Sequence, residues 1–109
     1  MGTLSADTAL IEKRIDQLIQ ALIKNFGDRT YSSIDYDVTT GAKYYKIHHI
    51  DSGGGRSVHA FVSRQTGAVY KPASWRAPAK HARYNLLDDI SFQDCLARAD
   101  WAGSYLYMR

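Results

Sequence analysis

Leu10, Ile11, Ile15, Leu18, Ile19, Leu22, Ile23 and Phe26 recur three and four positions apart, which gathers them into one apolar stripe on a helix. The spacing predicts a helix over residues 5–26. Ser5 is placed to cap its first turn, Asp7 lies where the helix dipole favours an acid, and Gly27 can end it in a left-handed conformation. Beyond residue 30 the period shortens to two. Ile34, Tyr36 and Val38 alternate with Ser33, Asp35 and Asp37, which predicts a strand over 31–38. A second strand over 43–50 places Tyr45 and Ile47 on one face and Tyr44, Lys46 and His48 on the other. Asp51, Ser52 and three glycines read as a hairpin loop. In the third strand, 57–64, Val58, Ala60 and Val62 alternate with His59 and Phe61, and the Gln65-Thr66-Gly67 turn leads into a fourth over 68–71. Four short-linked strands imply an antiparallel meander.

The periodicity stops after Lys71. Pro72 and Pro78 rule out regular structure through 72–80, leaving either an ordered excursion or a mobile loop. Ser91 reads as the cap of a short helix over 91–100 that presents Phe92, Cys95, Leu96 and Ala99 on one face. The last nine residues, with Tyr105 and Tyr107, read as an edge strand. The expected fold is therefore α+β: an N-terminal helix on a four-stranded antiparallel sheet, then a basic loop and a short C-terminal helix. A chain of 109 residues accommodates this as one domain, 1–109.

A single cysteine excludes an internal disulfide and a four-cysteine zinc site. With no disulfide framework, no signal-like start and no apolar run of membrane-spanning length, the expected location is the cytoplasm, away from membranes. Cys95 lies on the apolar helix face and reads as core. His48 and His49 point to opposite faces of their strand, and His48 and His59 could meet across strands but lack a third ligand, so no metal or other cofactor is expected. The Gly53-Gly54-Gly55-Arg56 run lacks both the Lys-Ser/Thr pair and the helix of a phosphate loop. Asp35 and Asp37 share a strand face, and Asp88 and Asp89 lie past the basic segment, but no acid–base constellation gathers around it. Binding without catalysis is the expectation.

The distribution of charge is more informative than its sum. The formal charge is +3, yet residues 52–87 hold Arg56, Arg64, Lys71, Arg76, Lys80 and Arg83 with no Asp or Glu. Such a stretch projects a positive potential where its side chains share a face. Within it, the segment 70–85 interleaves Trp75 and tyrosines with these cations and with four alanines. Arginine grips phosphate bidentately, lysine adds a point charge, and flat rings accept a purine. These properties suit a nucleotide, a cyclic nucleotide or a nucleic-acid strand.

Residues 70–85 also spell Y-K-P-A-S-W-x-A-P-A-K-x-x-R-x-N. This block resembles small bacteriophage proteins and is similar to the first-type Thoeris anti-defence proteins. Those are symmetric oligomeric sponges for the cyclic ADP-ribose signal of bacterial TIR-domain enzymes. The resemblance implies a phage-encoded homo-oligomer in the infected host's cytoplasm. It would withhold a nucleotide-like signal, a cyclic ADP-ribose isomer or a cyclic nucleotide, without turning it over. Lys71, Trp75, Arg76, Lys80, Arg83 and Asn85 are its positions in the shared block, and Arg109 could reach a phosphate on a neighbouring subunit. His81 and Tyr84 depart from the small residues, often glycine, expected there, and would reshape or close the pocket. The alternatives are a nucleic-acid-binding phage protein and a minor virion or assembly protein.

Overall fold

The computed structural model describes residues 6–27 and 33–107. Helix α1 (Ala6–Phe26) is followed by strands β1 (Ile34–Thr40), β2 (Tyr44–Asp51), β3 (Arg56–Ser63), β4 (Ala68–Tyr70) and β5 (Tyr84–Asn85). Helix α2 (Asp89–Arg98) and a 3₁₀ turn (Ser104–Leu106) complete the order. All strand pairs are antiparallel, in the spatial order β1-β2-β3-β4-β5. The α+β architecture is as expected, with five strands in place of four. The additional β5 has two residues, too few for a period to show. It is held against β4 by hydrogen bonds from Arg83 N to Val69 O (2.7 Å) and from Leu86 N to Gly67 O (2.8 Å).

The helical stripe buries Ile11, Ile15, Leu18 and Leu22 against Tyr45, Ile47, Ala60, Val62 and Val69 of the sheet. Each of the Ile, Leu and Val side chains contributes roughly 1.5–3 kcal/mol on leaving water. Phe92 and Cys95 of α2 join the same core, and burial pushes the Cys95 thiol up to about 12, so it stays a neutral packing group. Arg14 ties the two helices together. Its guanidinium donates to Leu86 O (2.8 Å) and to Asp89 Oδ1 (2.7 Å) and lies 4.6 Å from the Phe92 ring centre. At the far end of α1, Gly27 is left-handed (φ 77°) and its N–H returns to Ile23 O. The expected Ser5 cap and the first residues of the 31–38 strand lie outside the described residues. No helix among the described residues is long and apolar enough to cross a membrane.

Three local expectations are corrected. Asp88, not Ser91, caps α2: its Oδ1 accepts from Ile90 N and Ser91 N, while Ser91 Oγ accepts from Asn85 N (2.8 Å). Through Tyr107, the C-terminal segment is not an edge strand. The Asp100 carboxylate accepts from Ser104 Oγ (2.7 Å), Ser104 N and Tyr105 N, which curls the chain into the 3₁₀ turn. The simple alternation in β3 also fails. Ile47 pairs with Ala60 but His48 pairs with Val58, so His59 is an extra residue in a β-bulge. His59 then packs with Tyr36 and Tyr105 on the helical side, while His48 contacts Thr39 and Trp75 on the other. The bulge separates the two histidines that alternation would have allowed to meet.

Gly67 closes the β3–β4 turn at φ +78°, and a Cβ there would come 3.0 Å from the Leu87 side chain and 3.2 Å from its backbone N. Gly67→Ala is expected to cost about 2 kcal/mol through left-handed strain and crowding. Urea denaturation checks this, an unshifted midpoint meaning that the turn relaxes freely.

Candidate functional site

The prolines of the basic segment build an ordered hairpin. Pro72 and Pro78 bridge each other, Ala73 N and Ser74 N both donate to Ala77 O, and Ala79 N donates to Lys71 O (2.7 Å). Fixed φ values at the two prolines lower the entropy lost on ordering. The hairpin lies over the sheet face opposite the helices. That face carries Tyr44, Lys46, His48, Phe61 and Tyr70, and both Phe61 and His48 are buried there. Trp75 lies 5.2 Å from the His48 ring, and Lys46 Nζ lies 5.0 Å from the Trp75 ring and 5.6 Å from Phe61. Trp75 nevertheless remains 50 % exposed. It is neither a core plug nor a free side chain, but a ring clamped from below and open above.

Two hollows of about 310 Å³ each flank the hairpin. One is lined by Thr39, Thr40, Lys43, Tyr44, Lys46, Phe61 and Arg76 and by the Gly41-Ala42 backbone. The other is lined by Arg56, Ser57, Val58, Pro72, Ala73, Ser74 and Trp75. Neither has a carboxylate in its wall. Asp37 lies on the same face and is paired with Arg56 (2.9 Å), which holds its carboxyl below the ordinary range. His48 shares a hydrogen bond with Thr39 Oγ1 (3.1 Å), while its Nδ1 is buried without a partner. Burial, then the charges of Arg56 and Lys46, keep His48 below its usual value despite Asp37, so the ring is neutral near pH 7.

The six block positions separate. Trp75 and Arg76 stand at this face. Lys71 lies 4.3 Å from the Tyr107 ring, beside a hollow of about 160 Å³ that also reaches His49, Ser57 and His59. Lys80 is exposed. Arg83 is a strut: Nε donates to Leu106 O (2.7 Å), and Nη1 donates to the carbonyls of Lys80 and His81. Asn85 shapes the entry to α2, its Oδ1 accepting from Leu87 N (2.8 Å). Arg109 lies outside the described residues. His81 adopts φ 69°, a left-handed conformation that glycine takes without strain. Tyr84 packs toward Tyr105 and donates to its carbonyl, away from Trp75. Lys43, Lys46 and Thr39 were not anticipated, because their separation from the basic segment hides their proximity. The available signal was the cross-strand face shared by Lys46, His48 and the buried Phe61.

A larger hollow, about 500 Å³, lies between β5, α2 and the C-terminal turn, lined by Arg83, Tyr84, Asp94, Arg98, Asp100 and Tyr105 among others. Its charges are already matched internally. Asp94 pairs with Arg98 (2.8 Å), Asp100 accepts from Ser104 and Tyr105, and Arg83 serves backbone carbonyls. Size alone does not make it the better anion site, since a ligand would have to compete with these partners. The Gly53–Gly55 loop likewise holds an internal carboxylate: Asp51 Oδ1 accepts from Gly53 N and Gly55 N. Among the described residues, no three His, Cys, Asp or Glu side chains converge as a metal-ligand set.

The chain belongs to DUF7717, a family of unknown function, whose sequence profile matches residues 3–108. Comparisons with curated proteins and with solved structures gave no significant match.

Replacing Arg83 by Ala removes charge-assisted bonds to three carbonyls and is expected to cost about 2 kcal/mol. Thermal unfolding checks this, and an unchanged midpoint would show that the strut carries no load. His59 supplies a pH test. Burial lowers it to about 4, with the His49 charge contributing, and its ring bonds to the Tyr105 hydroxyl (2.8 Å). The unfolded chain binds this proton near 6.5 and the folded chain only near 4, so stability is intact above 6.5 and falls as pH drops through that window, by roughly 3 kcal/mol in all. The His59→Gln variant should lose that acid sensitivity in a pH series of melts, whereas an unaltered slope would place the sensitivity elsewhere.

Proposed function

We propose that this protein binds a phosphate-bearing, nucleotide-like small molecule on the hairpin-covered face of its sheet and releases it unchanged. The observation that carries this reading is the half-exposed Trp75 ring, clamped over His48 and Lys46 between two hollows without a carboxylate in their walls. The aromatic face of Trp75 adjoins Lys46, and Arg76 lines the hollow beside it, so a base and an anion can be accepted together. Because the hairpin is closed by its own hydrogen bonds, little order must be created on binding. Capture without turnover agrees with what the resemblance to anti-defence sponges implies. A phage-encoded homo-oligomer withholding a cyclic ADP-ribose isomer or a cyclic nucleotide, and so countering host defence, is the specific form of the same proposal.

A thermal-shift panel of cyclic nucleotides, ADP-ribose isomers and short oligonucleotides tests the reading, followed by mass spectrometry of the recovered ligand. Stabilisation by a mononucleotide-sized ligand recovered intact is the expected result. Trp75→Ala should weaken its binding by about 1–3 kcal/mol while leaving the fold in place. Stabilisation by oligonucleotides alone, growing with strand length and steeply salt-dependent, would replace the proposal with nucleic-acid binding.

A further inference from the structure

We infer that the hollow between the β1–β2 turn and Arg76 is a phosphoryl subsite, in which Lys43, Lys46 and Arg76 hold a doubly charged group. This inference rests on the nucleotide-like reading of the same face and assigns its two halves: the anion to this hollow and the flat moiety to Trp75. Three cations from three segments line a space of about 310 Å³ with two threonines and no acid. Lys43 comes from the turn, Lys46 from β2 and Arg76 from the proline hairpin. Cations placed together this way repel one another, and an anion between them relieves that repulsion.

The site is also preformed. Arg64 reaches across from the end of β3 and donates to Gly41 O (2.7 Å), while Arg64 N donates to Lys43 O (3.0 Å) and Gly41 N to Tyr44 O (2.9 Å). The turn bearing Lys43 is thus fixed without any use of the Lys43 side chain. Arg76 is positioned by its own backbone N–H, which donates to Ser74 Oγ (3.3 Å), and the residue is exposed where it lines the hollow. Lys46 has a double role, with its ammonium near both Trp75 and Phe61. It is the link through which occupancy of the hollow would be felt at the indole. The depressed affinity of His48 for protons, after burial, reflects the positive field of Arg56 and Lys46 on this face. The one carboxylate that moderates that field at His48, Asp37, is bonded to Arg56 and does not line the hollow.

Calorimetric titration with inorganic pyrophosphate at fixed, low ionic strength tests the assignment, with adenosine and ADP as companion probes. Lys43→Gln and Arg76→Gln are each expected to weaken pyrophosphate binding about tenfold, the loss of one charge-assisted contact. Lys80→Gln, an exposed cation outside the hollow, should bind as the unaltered protein does. Matching melting curves would show that all three variants are folded. The inference is overturned if the parent protein ignores pyrophosphate, if the first two variants bind it normally, or if Lys80→Gln weakens it equally. ADP binding that needs Trp75 but not Lys43 or Arg76 would likewise remove the subsite while leaving the nucleotide reading intact. Pyrophosphate binding that needs Lys43 and Arg76, with ADP no tighter and Trp75→Ala without effect, would keep the subsite and remove the nucleotide reading.

Discussion

The central strands need cover on both faces. Ile47, Ala60 and Val62 point to the helices, but Phe61 and His48 are nearly as inaccessible on the other side. Two helices occupy only one layer, so the second face of β2 and β3 must be sheltered by something else. A sheet face bearing Phe61, Tyr44 and Tyr70 would otherwise expose an aromatic patch to water. The chain resolves this with the bridged hairpin at Pro72 and Pro78, which places Trp75 over His48 and near the Lys46 ammonium that also lies against Phe61. The cover is made from the carboxylate-free segment. Sheltering the second face therefore also concentrates positive charge and a half-open indole above it.

The remainder of the C-terminal half keeps that cover in place. Arg83 gathers the carbonyls at the end of the excursion and of the C-terminal turn, and β5 returns the chain to the sheet beside Val69. Asn85 and Asp88 then turn it into α2. These groups carry charge or polarity, and their side chains are engaged with backbone partners. Lys43, Lys46 and Arg76 have the opposite arrangement: they line a hollow without a carboxylate, and the Lys46 ammonium lies against the Trp75 and Phe61 rings. What separates Arg83 from the three cations of the proposed subsite is what its nitrogens already hold.

Much of the fold was legible in the sequence. The helical stripe from Ile11 to Phe26 and the alternation through Ile34, Tyr36 and Val38 are strong periodic signals, and Gly27 and Gly67 mark turns that the backbone confirms. What was missed lacks a period. β5 is two residues long, the bulge at His59 depends on register with β2, and the Asp100 cage depends on contacts over four and five residues. The candidate site was legible only in the residues that lie close together in the chain. Trp75 and Arg76 stand at the sheet face, but Arg83 and Asn85 are positioning residues whose roles emerge only from hydrogen-bond partners. Lys43 and Lys46 arrive from a hairpin some thirty residues earlier, so no local composition could include them.

The proposed site is tested by where a phosphate-bearing ligand settles when two hollows of different character are offered to it. The smaller has three cations around it and no acid, while the larger, near 500 Å³, has acids and bases that already hold internal partners. A crystal structure of the protein soaked with ADP decides between them. The account predicts diphosphate density among Lys43, Lys46 and Arg76 with the adenine against Trp75. Density confined to the cavity beside Tyr84, Asp94 and Arg98 would contradict it.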